Sequence, residues 1–292
     1  MWSRRIVKVL GAVVVVTIAV GAVIGFINSS RDASAAARAA RAEYRRAIAA
    51  CERGEFGLPG ENTEGFDRSQ ACRDAVGPFE APDPRWHYTD LSDVLLGTGA
   101  PFAILCLVLG ASFIGAEWQK GTVTTALTWE PRRIRLLGAK FAAVAASCFL
   151  LVVALQLVVA GALWPVAALR GSTAGLDAAW LRETVGIGFR IAAVGGLAAI
   201  AGCAIATVGR NTAAAVGVAF VYFAVLEGLI RGFRPRWQPW LLGDNAAQFL
   251  AGQPVGAAMA DKTMFDVALA LVLYGAALVA LATLFFTRRD IT

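Results

Sequence analysis

Histidine is almost absent from this sequence, and His87 is the single example among 292 residues. Metal centres need three or four closely spaced histidine, cysteine or carboxylate ligands, and one histidine with five scattered cysteines does not supply that set. A Ser-His-Asp triad has no basis beyond chance for the same reason. We therefore expect no catalytic residues, no metal and no cofactor bound by this chain, which is not an enzyme by itself.

A loop that binds nucleotide phosphates is also missing. No Gly-rich stretch of the sequence ends in Lys-Ser or Lys-Thr, the pattern whose backbone amides and lysine hold phosphates. Charged residues make up only 16% of the chain, and few of them fall within its apolar runs. Because carriers driven by an ion gradient usually have ionisable residues near the membrane centre, this scarcity favours transport powered by a separate protein over an ion-coupled carrier.

Apolar side chains are what the sequence has in abundance. They account for 58% of the residues, and they are concentrated in runs of about 20, the length with which a helix crosses a hydrocarbon core roughly 30 Å thick. Only helices and closed barrels satisfy every backbone polar group there. The first run is too long for a signal peptide and is interpreted as an uncleaved helix. The sequence thus predicts an all-α polytopic membrane protein, one transmembrane domain over 1–292, with six spans at about 6–27, 93–115, 138–164, 186–208, 213–230 and 266–287.

The orientation of the spans follows from the positions of the basic residues. An even number of spans puts both termini on one side, and the segments on that side carry Lys and Arg about twice as densely as the segments on the other side. Both termini and the loop 116–137 are therefore predicted to be cytoplasmic. These loops also explain the net charge of +6, so we expect contacts with membrane lipid and none with nucleic acid.

A predicted extracytoplasmic insert fills residues 28–90. Its Ala-, Arg- and Glu-rich beginning is expected to extend the first span as a helix, and a Gly/Pro/Asn-rich stretch follows. Cys51 and Cys72 flank that stretch, and on the oxidising side of the membrane they are candidates for a disulfide. A metal or redox pair is the alternative, but further ligands are lacking. The remaining cysteines are expected to be packed thiols within spans: Cys106, Cys148 and Cys203.

Three features lie at or just beyond the outer ends of the fourth and fifth predicted spans. Residues 231–265 are rich in proline and tryptophan, and their apolar piece from 240 to 250 is too short to cross, so we predict a re-entrant segment; a surface loop is the alternative. Glu227 is either paired with Arg231, one helical turn away, or part of a translocation path. Arg190 either snorkels to the interface or lines that path.

The segment 117–140, EWQKGTVTTALTWEPRRIRLLGAK, is a long charged stretch set between two apolar runs. It resembles the loop after the second span in the permease subunits of ABC exporters of the type-two class, which often reads E…GT…LL…P…R…K. The number of spans, the short loop between spans four and five and the re-entrant segment agree with that family, and the cysteine-containing insert is similar to that of actinobacterial members. The matching residues are Gly115, Glu117, Gly121, Thr122, Pro131, Arg132, Arg133, Gly138 and Lys140.

The resemblance implies a permease that pairs with a second permease, as a homodimer or a heterodimer, above two cytoplasmic ATPase subunits that bind ATP and Mg²⁺. Residues 117–128 would form a coupling helix that docks on the ATPase, and a turn at 129–131 would follow. The docking residues would be Glu117, Trp118, Lys120, Gly121, Thr122, Thr125 and Thr128. The residues at the inner headgroups would be Arg132, Arg133, Arg135 and Lys140.

The expected function is therefore ATP-driven export of an amphipathic drug, lipid or peptide across a bacterial plasma membrane, as in multidrug efflux. A loop explained by topology alone needs only a few residues, as in the predicted turn Gly209-Arg210-Asn211-Thr212, and the 24-residue length of the middle segment favours docking. Two other interpretations stay open. One is a membrane-embedded binding or sensory protein that acts through its Cys-stapled insert, and the other is the ion-coupled carrier.

Overall fold

A computed structural model of the chain describes residues 2–29, 33–55, 67–79, 83–122 and 132–288. A π-helical segment, Val221–Leu226, joins α7 to α8, and 3₁₀ turns lie at Tyr88–Asp90, Pro235–Trp240 and Ala257–Met259. Within the described residues, β structure is limited to an isolated bridge between His87 and Ser172. The α-helices are α1 (Trp2–Asn28), α2 (Ala33–Glu52), α3 (Arg68–Val76), α4 (Leu91–Gln119), α5 (Arg133–Arg170), α6 (Ala178–Gly209), α7 (Thr212–Phe220), α8 (Glu227–Phe233), α9 (Leu242–Ala251) and α10 (Met264–Arg288).

Five helical segments in the described part of the chain are long and apolar enough to cross a membrane. They correspond to the second to sixth predicted spans, and the chain is an all-α polytopic membrane protein, as its hydropathy predicts. In the first predicted span the qualifying apolar helix is shorter, Val16–Asn28, so the count of six remains a prediction. The five segments are Tyr88–Gln119, Ile134–Arg170, Ala178–Gly209, Thr212–Phe233 and Met264–Arg288.

All five helices are longer than the apolar runs that predicted them. The predicted span 138–164 is part of α5, which begins at Arg133 and ends at Arg170, and the predicted span 186–208 is part of α6, which begins at Ala178. Hydropathy marks only the stretch matched to hydrocarbon, whereas helical hydrogen bonding continues through flanking Arg, Leu and Ala, which all favour helix. The predicted loop 116–137 is correspondingly too long, since only residues 120–132 separate α4 from α5.

The chain forms two compact units. The first contains residues 1–18, 89–161 and 175–292, and the second contains residues 19–88 and 162–174. In the first unit α6 is the central helix, because 61% of its apolar window is buried, against at most 33% for the other spanning helices. Both candidate functional clusters described below lie in this first unit.

Close contact between α4 and α6 depends on two glycines. A Cβ on Gly110 would lie 2.2 Å from the carbonyl oxygen of Ala199, and a Cβ on Gly202 would lie 2.1 Å from the carbonyl oxygen of Leu107. The thiol of Cys203 donates to the Gly110 carbonyl at 3.1 Å. Small residues at facing positions let helix backbones approach in this way, so any larger side chain at either glycine would force α4 and α6 apart.

In the second unit, the expected continuation of the first span into the insert helix is wrong. Helix α1 ends at Asn28, Ser29 is not helical, and α2 begins at Ala33. The Ser29 hydroxyl donates to the carbonyl of Arg170 at 3.0 Å and accepts from the backbone N–H of Trp86 at 3.1 Å. These two bonds hold Ser29 against distant parts of the chain, and serine readily forms such bonds in place of helical ones.

The predicted disulfide between Cys51 and Cys72 is present, and it joins the C-terminal turn of α2 to α3. Helix α3 begins after Asp67, whose carboxylate accepts from the backbone N–H groups of Ser69 and Gln70. These hydrogen bonds, first of all one from the Ser69 hydroxyl, lower the pKa of Asp67. The prediction of packed thiols is also confirmed, because the three free cysteines are buried: Cys106, Cys148 and Cys203.

The segment between α8 and α10 contains a short helix that is packed on the spans. Helix α9 covers most of the apolar piece that is too short to cross, and Leu250 packs where a Cβ on Gly99 of α4 would lie, at 2.9 Å. Its polar side chains Asn245 and Gln248 are buried. This packing argues against an exposed surface loop, and the re-entrant position in the membrane stays a prediction.

Candidate functional site

The first candidate cluster joins the ends of α4 and α5, where the charged middle segment leaves the helices. The ammonium of Lys140 on α5 donates to the carboxylate of Glu117 on α4, and only 16% and 25% of the two side chains are exposed. A pair this sheltered is screened less by salt than a surface pair. It fixes the end of α4 to the beginning of α5.

Trp118 connects this cluster to two further elements, the turn between α6 and α7 and the end of α10. The guanidinium of Arg210, in the turn between α6 and α7, lies 4.8 Å from the centre of the Trp118 ring. Phe286, near the end of α10, meets the same ring edge to face at 6.2 Å. Arg210 has a φ of +52°, which is uncommon outside glycine, so the αL backbone of the turn directs a cation onto the tryptophan. We call Glu117, Trp118, Lys140, Arg210 and Phe286 the junction cluster.

The structure corrects the start of the predicted coupling helix. Glu117 and Trp118 belong to the last turn of α4, which ends at Gln119. The chain then turns at Lys120 and Gly121, where Gly121 has a φ of +67°, a conformation that glycine adopts without strain. The prediction of a single helix from Glu117 to Thr128 is therefore wrong, because the chain leaves the helical conformation at Gly121.

The predicted docking and anchoring residues fall into two groups. Glu117, Trp118 and Lys140 contact other helices, as described, and are partly buried. The exposed ones are Lys120, Gly121, Thr122, Arg132 and Arg135. The Thr122 hydroxyl donates to the carbonyl of Glu117 at 3.3 Å. Thr125, Thr128 and the turn 129–131 lie outside the described residues, as does the side chain of Arg133.

The second candidate cluster surrounds Glu227 at the end of the bundle where α6 begins. Only 1% of Glu227 is exposed, and its carboxylate accepts from Arg231 at 2.8 Å and from the backbone N–H of Gly243 at 2.7 Å. Arg231 also donates to Asp244 at 3.1 Å. The predicted pairing of Glu227 with Arg231 is present, and it forms a carboxylate cluster of Glu227, Arg231 and Asp244.

The π-helical segment Val221–Leu226 explains why Glu227 faces inward. Ala215 and Ala219 are the buried residues of α7, and in a regular α-helix Glu227 would lie about 80° away from the Ala219 direction. A π turn adds about one residue to the helix, which brings Glu227 back to within roughly 20° of that direction. The backbone N–H of Glu227 accordingly donates to the carbonyl of Tyr222, five residues before.

Arg190, in the first half of α6, lies against the C-terminal end of α9. Its Nη1 atom is 2.1 Å from the position of a Cβ built on Gly252, which directly follows α9 and has a φ of +74°. The glycine therefore leaves room for the guanidinium. The Nε of Arg190 is buried and has no hydrogen-bond partner among the described residues, and both interpretations of Arg190, snorkelling and path lining, stay predictions.

No described residue forms an ion pair with Arg190. A cation near a helix C-terminus gains about 0.3–1 kcal/mol from the helix dipole. An arginine at the bilayer centre costs about 2.5–3.5 kcal/mol on insertion scales, but Arg190 is nearer the beginning of α6 than its middle, so its own cost is smaller.

Several residues of this region were not identified from the sequence. Asp244 is 13 residues from its partner Arg231, and Gly243 is 16 residues from its partner Glu227. Gln248 is 1% exposed, donates to the carbonyl of Lys262 at 2.9 Å and has an Oε1 without a hydrogen-bond partner among the described residues. The one available signal was the spacing of Asn245 and Gln248 on one face of α9.

Comparison with known proteins gives no match to a family model, to a curated protein or to a solved structure.

Proposed function

We propose that this chain is the transmembrane permease subunit of an ATP-driven exporter of the type-two ABC class. In this proposal it has six spans, its termini are cytoplasmic, and it carries an amphipathic drug, lipid or peptide out of a bacterial cell. ATP and Mg²⁺ are bound by two separate ATPase subunits, and a second permease subunit completes the transporter.

The observation that supports this proposal best is the junction cluster. Glu117 and Trp118 lie at the point where residues 120–132 leave the bundle, and their contacts reach α5, the α6–α7 turn and α10. A force applied to the exposed Lys120, Gly121 and Thr122 therefore reaches the ends of four spanning segments through packed side chains. Chains of packed side chains of this kind can carry energetic coupling between sites.

Two steps of energy transfer follow from this arrangement. The exposed residues after Gln119 make the contact with the ATPase, while Glu117, Trp118 and Lys140 pass its movement to the helices. This differs from the expectation that Glu117 and Trp118 themselves dock. Basic Arg132 and Arg135 are exposed at the beginning of α5, where they meet anionic inner-leaflet headgroups.

A charge exchange tests the transmission step. We expect Glu117→Lys to lower ATP hydrolysis stimulated by substrate in the purified transporter, because two ammonium groups then face each other. The double variant Glu117→Lys/Lys140→Glu restores the pair in reverse and should recover most of the stimulation. Trp237→Ala, which removes an exposed tryptophan far along the chain, is the control for loss of an aromatic side chain when Trp118→Ala is measured.

Docking is tested separately by copurification. The chain, tagged and extracted in mild detergent from the membrane of its source, should bring with it an ATPase that has a phosphate-binding loop. Gly121→Val places a β-branched residue at a φ of +67° and should weaken that association. Recovery of the intact chain without any ATPase, or unchanged association and export in both Gly121→Val and Glu117→Lys, would contradict the proposal.

A second candidate is a membrane-embedded binding or sensory protein, and the observation that favours it is the Cys51–Cys72 disulfide. A stapled pair of helices provides a rigid surface for a ligand or protein outside the cell. Cys51→Ser/Cys72→Ser separates the two candidates. A sensor would lose its response and keep no ATPase, whereas the exporter would keep substrate-stimulated ATP hydrolysis.

A further inference from the structure

Helix α2 of the insert carries a row of arginines on one side. Arg38, Arg41 and Arg45 are all exposed, and their spacing of three and four residues places them within an arc of about 60° around the helix. Arg46 is exposed on the adjoining side. We call Arg38, Arg41, Arg45 and Arg46 the arginine face of α2.

No arginine of this face forms an ion pair or a side-chain hydrogen bond with a described residue. The guanidinium of Arg41 lies 5.6 Å from the centre of the Phe79 ring, a contact that leaves its N–H groups without an acceptor. The other described arginines of the insert all have a polar partner, which is Glu55 for Arg53, the Cys51 carbonyl for Arg68, Ser69 and Gln70 for Arg73, and Asp83 for Arg85.

This arrangement of charges is unfavourable for the helix by itself. Arg41 is three residues from Arg38 and four from Arg45, the spacings at which like charges on a helix repel each other. Glu43 is on the opposite side, at least about 140° from each of the three, and Glu52 is about two turns beyond Arg45. Acidic side chains at the close spacings would stabilise the helix instead. The row therefore lacks an anion that the helix itself does not supply.

The beginning of α2 lies close to the ends of two membrane helices. Ser29 directly follows α1, and its hydroxyl donates to the carbonyl of Arg170, the last residue of α5. Ala33, the first residue of α2, comes four residues after Ser29, so the chain between them spans at most about 14 Å. Lipid headgroups form a layer of roughly 5–8 Å on each side of the hydrocarbon core. Helix α2 therefore begins in or near that layer.

We propose that the arginine face of α2 binds the phosphate groups of anionic lipids in the outer leaflet, with α2 lying along the membrane surface. The planar guanidinium donates two parallel hydrogen bonds to a phosphate. Basic residues beside a membrane attract anionic lipid, and each one adds to the attraction. The lipids supply the negative charge that the helix lacks. This binding belongs to the insert and does not depend on ATP coupling.

Chemical labelling of arginines in the full chain provides the test. The protein is placed in lipid nanodiscs of phosphatidylcholine alone or of phosphatidylcholine with phosphatidylglycerol, and peptide mass spectrometry follows the labelling of each arginine by phenylglyoxal. Phosphatidylglycerol should slow labelling of the arginine face by about fivefold, the factor that corresponds to the attraction of one arginine to an anionic surface. Labelling of Arg53 and Arg73 should not change. Added salt should remove the protection, because it screens exposed charges.

A matched pair of variants decides whether the arginines act together. Arg41→Gln keeps a good helix former and should raise the fraction of phosphatidylglycerol that gives half of the protection at Arg45. Arg73→Gln removes the same charge from α3 and should leave that fraction unchanged. Arg41→Lys keeps the charge and should remain closer to wild type than Arg41→Gln. Equal midpoints of thermal unfolding verify that the variants are folded.

Three results would overturn the proposal. The first is equal labelling of the arginine face in the two kinds of nanodisc, or protection that extends equally to Arg53 and Arg73. The second is an Arg41→Gln protein in which Arg45 is protected as in wild type. The third is protection by soluble polyphosphate in phosphatidylcholine nanodiscs with none from phosphatidylglycerol, which would indicate a soluble polyanion as the partner instead of a lipid.

Discussion

Arg190 and Arg231 are both in spanning segments at the same end of the bundle, and both meet the region around α9, but their surroundings are opposite. Arg231 is held by two carboxylates, Glu227 and Asp244. Arg190 has no described carboxylate and leaves its Nε unsatisfied. Paired charges in a membrane span are explained as structure, whereas an uncompensated one indicates a function. The comparison therefore assigns Arg231 to the scaffold, whereas no described ion pair explains Arg190.

The largest effect expected from this comparison is the loss of Arg231. Arg231→Met leaves the buried Glu227 beside Asp244 without a cation, which should lower the free energy of unfolding by about 3 kcal/mol. This is the low end of the range for broken buried pairs, because 39% of the Arg231 side chain is exposed. Arg190→Met should be neutral or slightly stabilising, because it breaks no described ion pair. Denaturant titration in detergent, followed by tryptophan fluorescence, measures both. Equal losses would remove the distinction.

The carboxylates of the cluster should differ in the same measurement. Glu227→Gln weakens the bonds from Arg231 and from the Gly243 N–H and should cost about 2 kcal/mol, as for hydrogen bonds to charged groups. Asp244→Asn should cost about 1 kcal/mol, because its side chain is 16% exposed and Arg231 keeps its other carboxylate. Asp261→Asn, an exposed carboxylate nearby, is the control. A larger loss for Asp244 than for Glu227 would reverse the assignment of the central residue.

A smaller effect should distinguish two glycines of positive φ. Gly121→Ala, where nothing lies within 4 Å of the added Cβ, should cost about 1 kcal/mol from the left-handed backbone alone. Gly252→Ala has the same backbone cost and also displaces Arg190, which should add roughly 1 kcal/mol. In an Arg190→Met background the additional loss should disappear, since the two sites then no longer interact. A difference that persists there would mean that Arg190 is not what limits position 252.

The smallest effect is expected for an exposed pair that serves as a reference. Asp83 accepts from Arg85 at 2.6 Å on the surface of the second unit, and this hydrogen bond holds the pKa of Asp83 well below its usual range. A lowered carboxyl pKa stabilises the folded state above the unfolded pKa of about 3.9, and the contribution is lost as the pH falls below it. Between pH 8 and pH 5, Arg85→Gln should therefore lower the unfolding midpoint only slightly and by the same amount at each pH, because exposed pairs contribute little. A clear loss in that window would show that exposed pairs matter here as much as Arg231.

Local spacing decided which parts of the carboxylate cluster were predictable. Glu227 and Arg231 are four residues apart, so any helix places them one turn from each other, and the pairing was identified from the sequence. Asp244 and Gly243 reach the cluster only because the chain folds back through the 3₁₀ turn at Pro235–Trp240 and α9. The inward direction of Glu227 depends on a π turn, for which the sequence has no reliable signal.

The sequence correctly predicted that the middle segment separates two spanning helices, but it did not predict which of its side chains contact other helices. Its charge and its position between two apolar runs correctly marked a break between spanning helices, and the Gly121 break lies within it. The sequence did not indicate that Glu117 and Trp118 would still belong to α4 or face inward. Their partners Lys140, Arg210 and Phe286 are 23 to about 170 residues away, and such distant contacts leave no periodic pattern.

The sequence by itself determined that this chain is a helical membrane protein, because runs of about 20 apolar residues have no other stable arrangement in hydrocarbon. It also determined the disulfide, since Cys51 and Cys72 are the two cysteines outside those runs. Only the tertiary structure decided which charges are compensated. The local sequence around an arginine in an apolar run does not show whether a carboxylate or only the end of a helix lies beside it. Carboxylates lie beside Arg231, and the end of α9 lies beside Arg190.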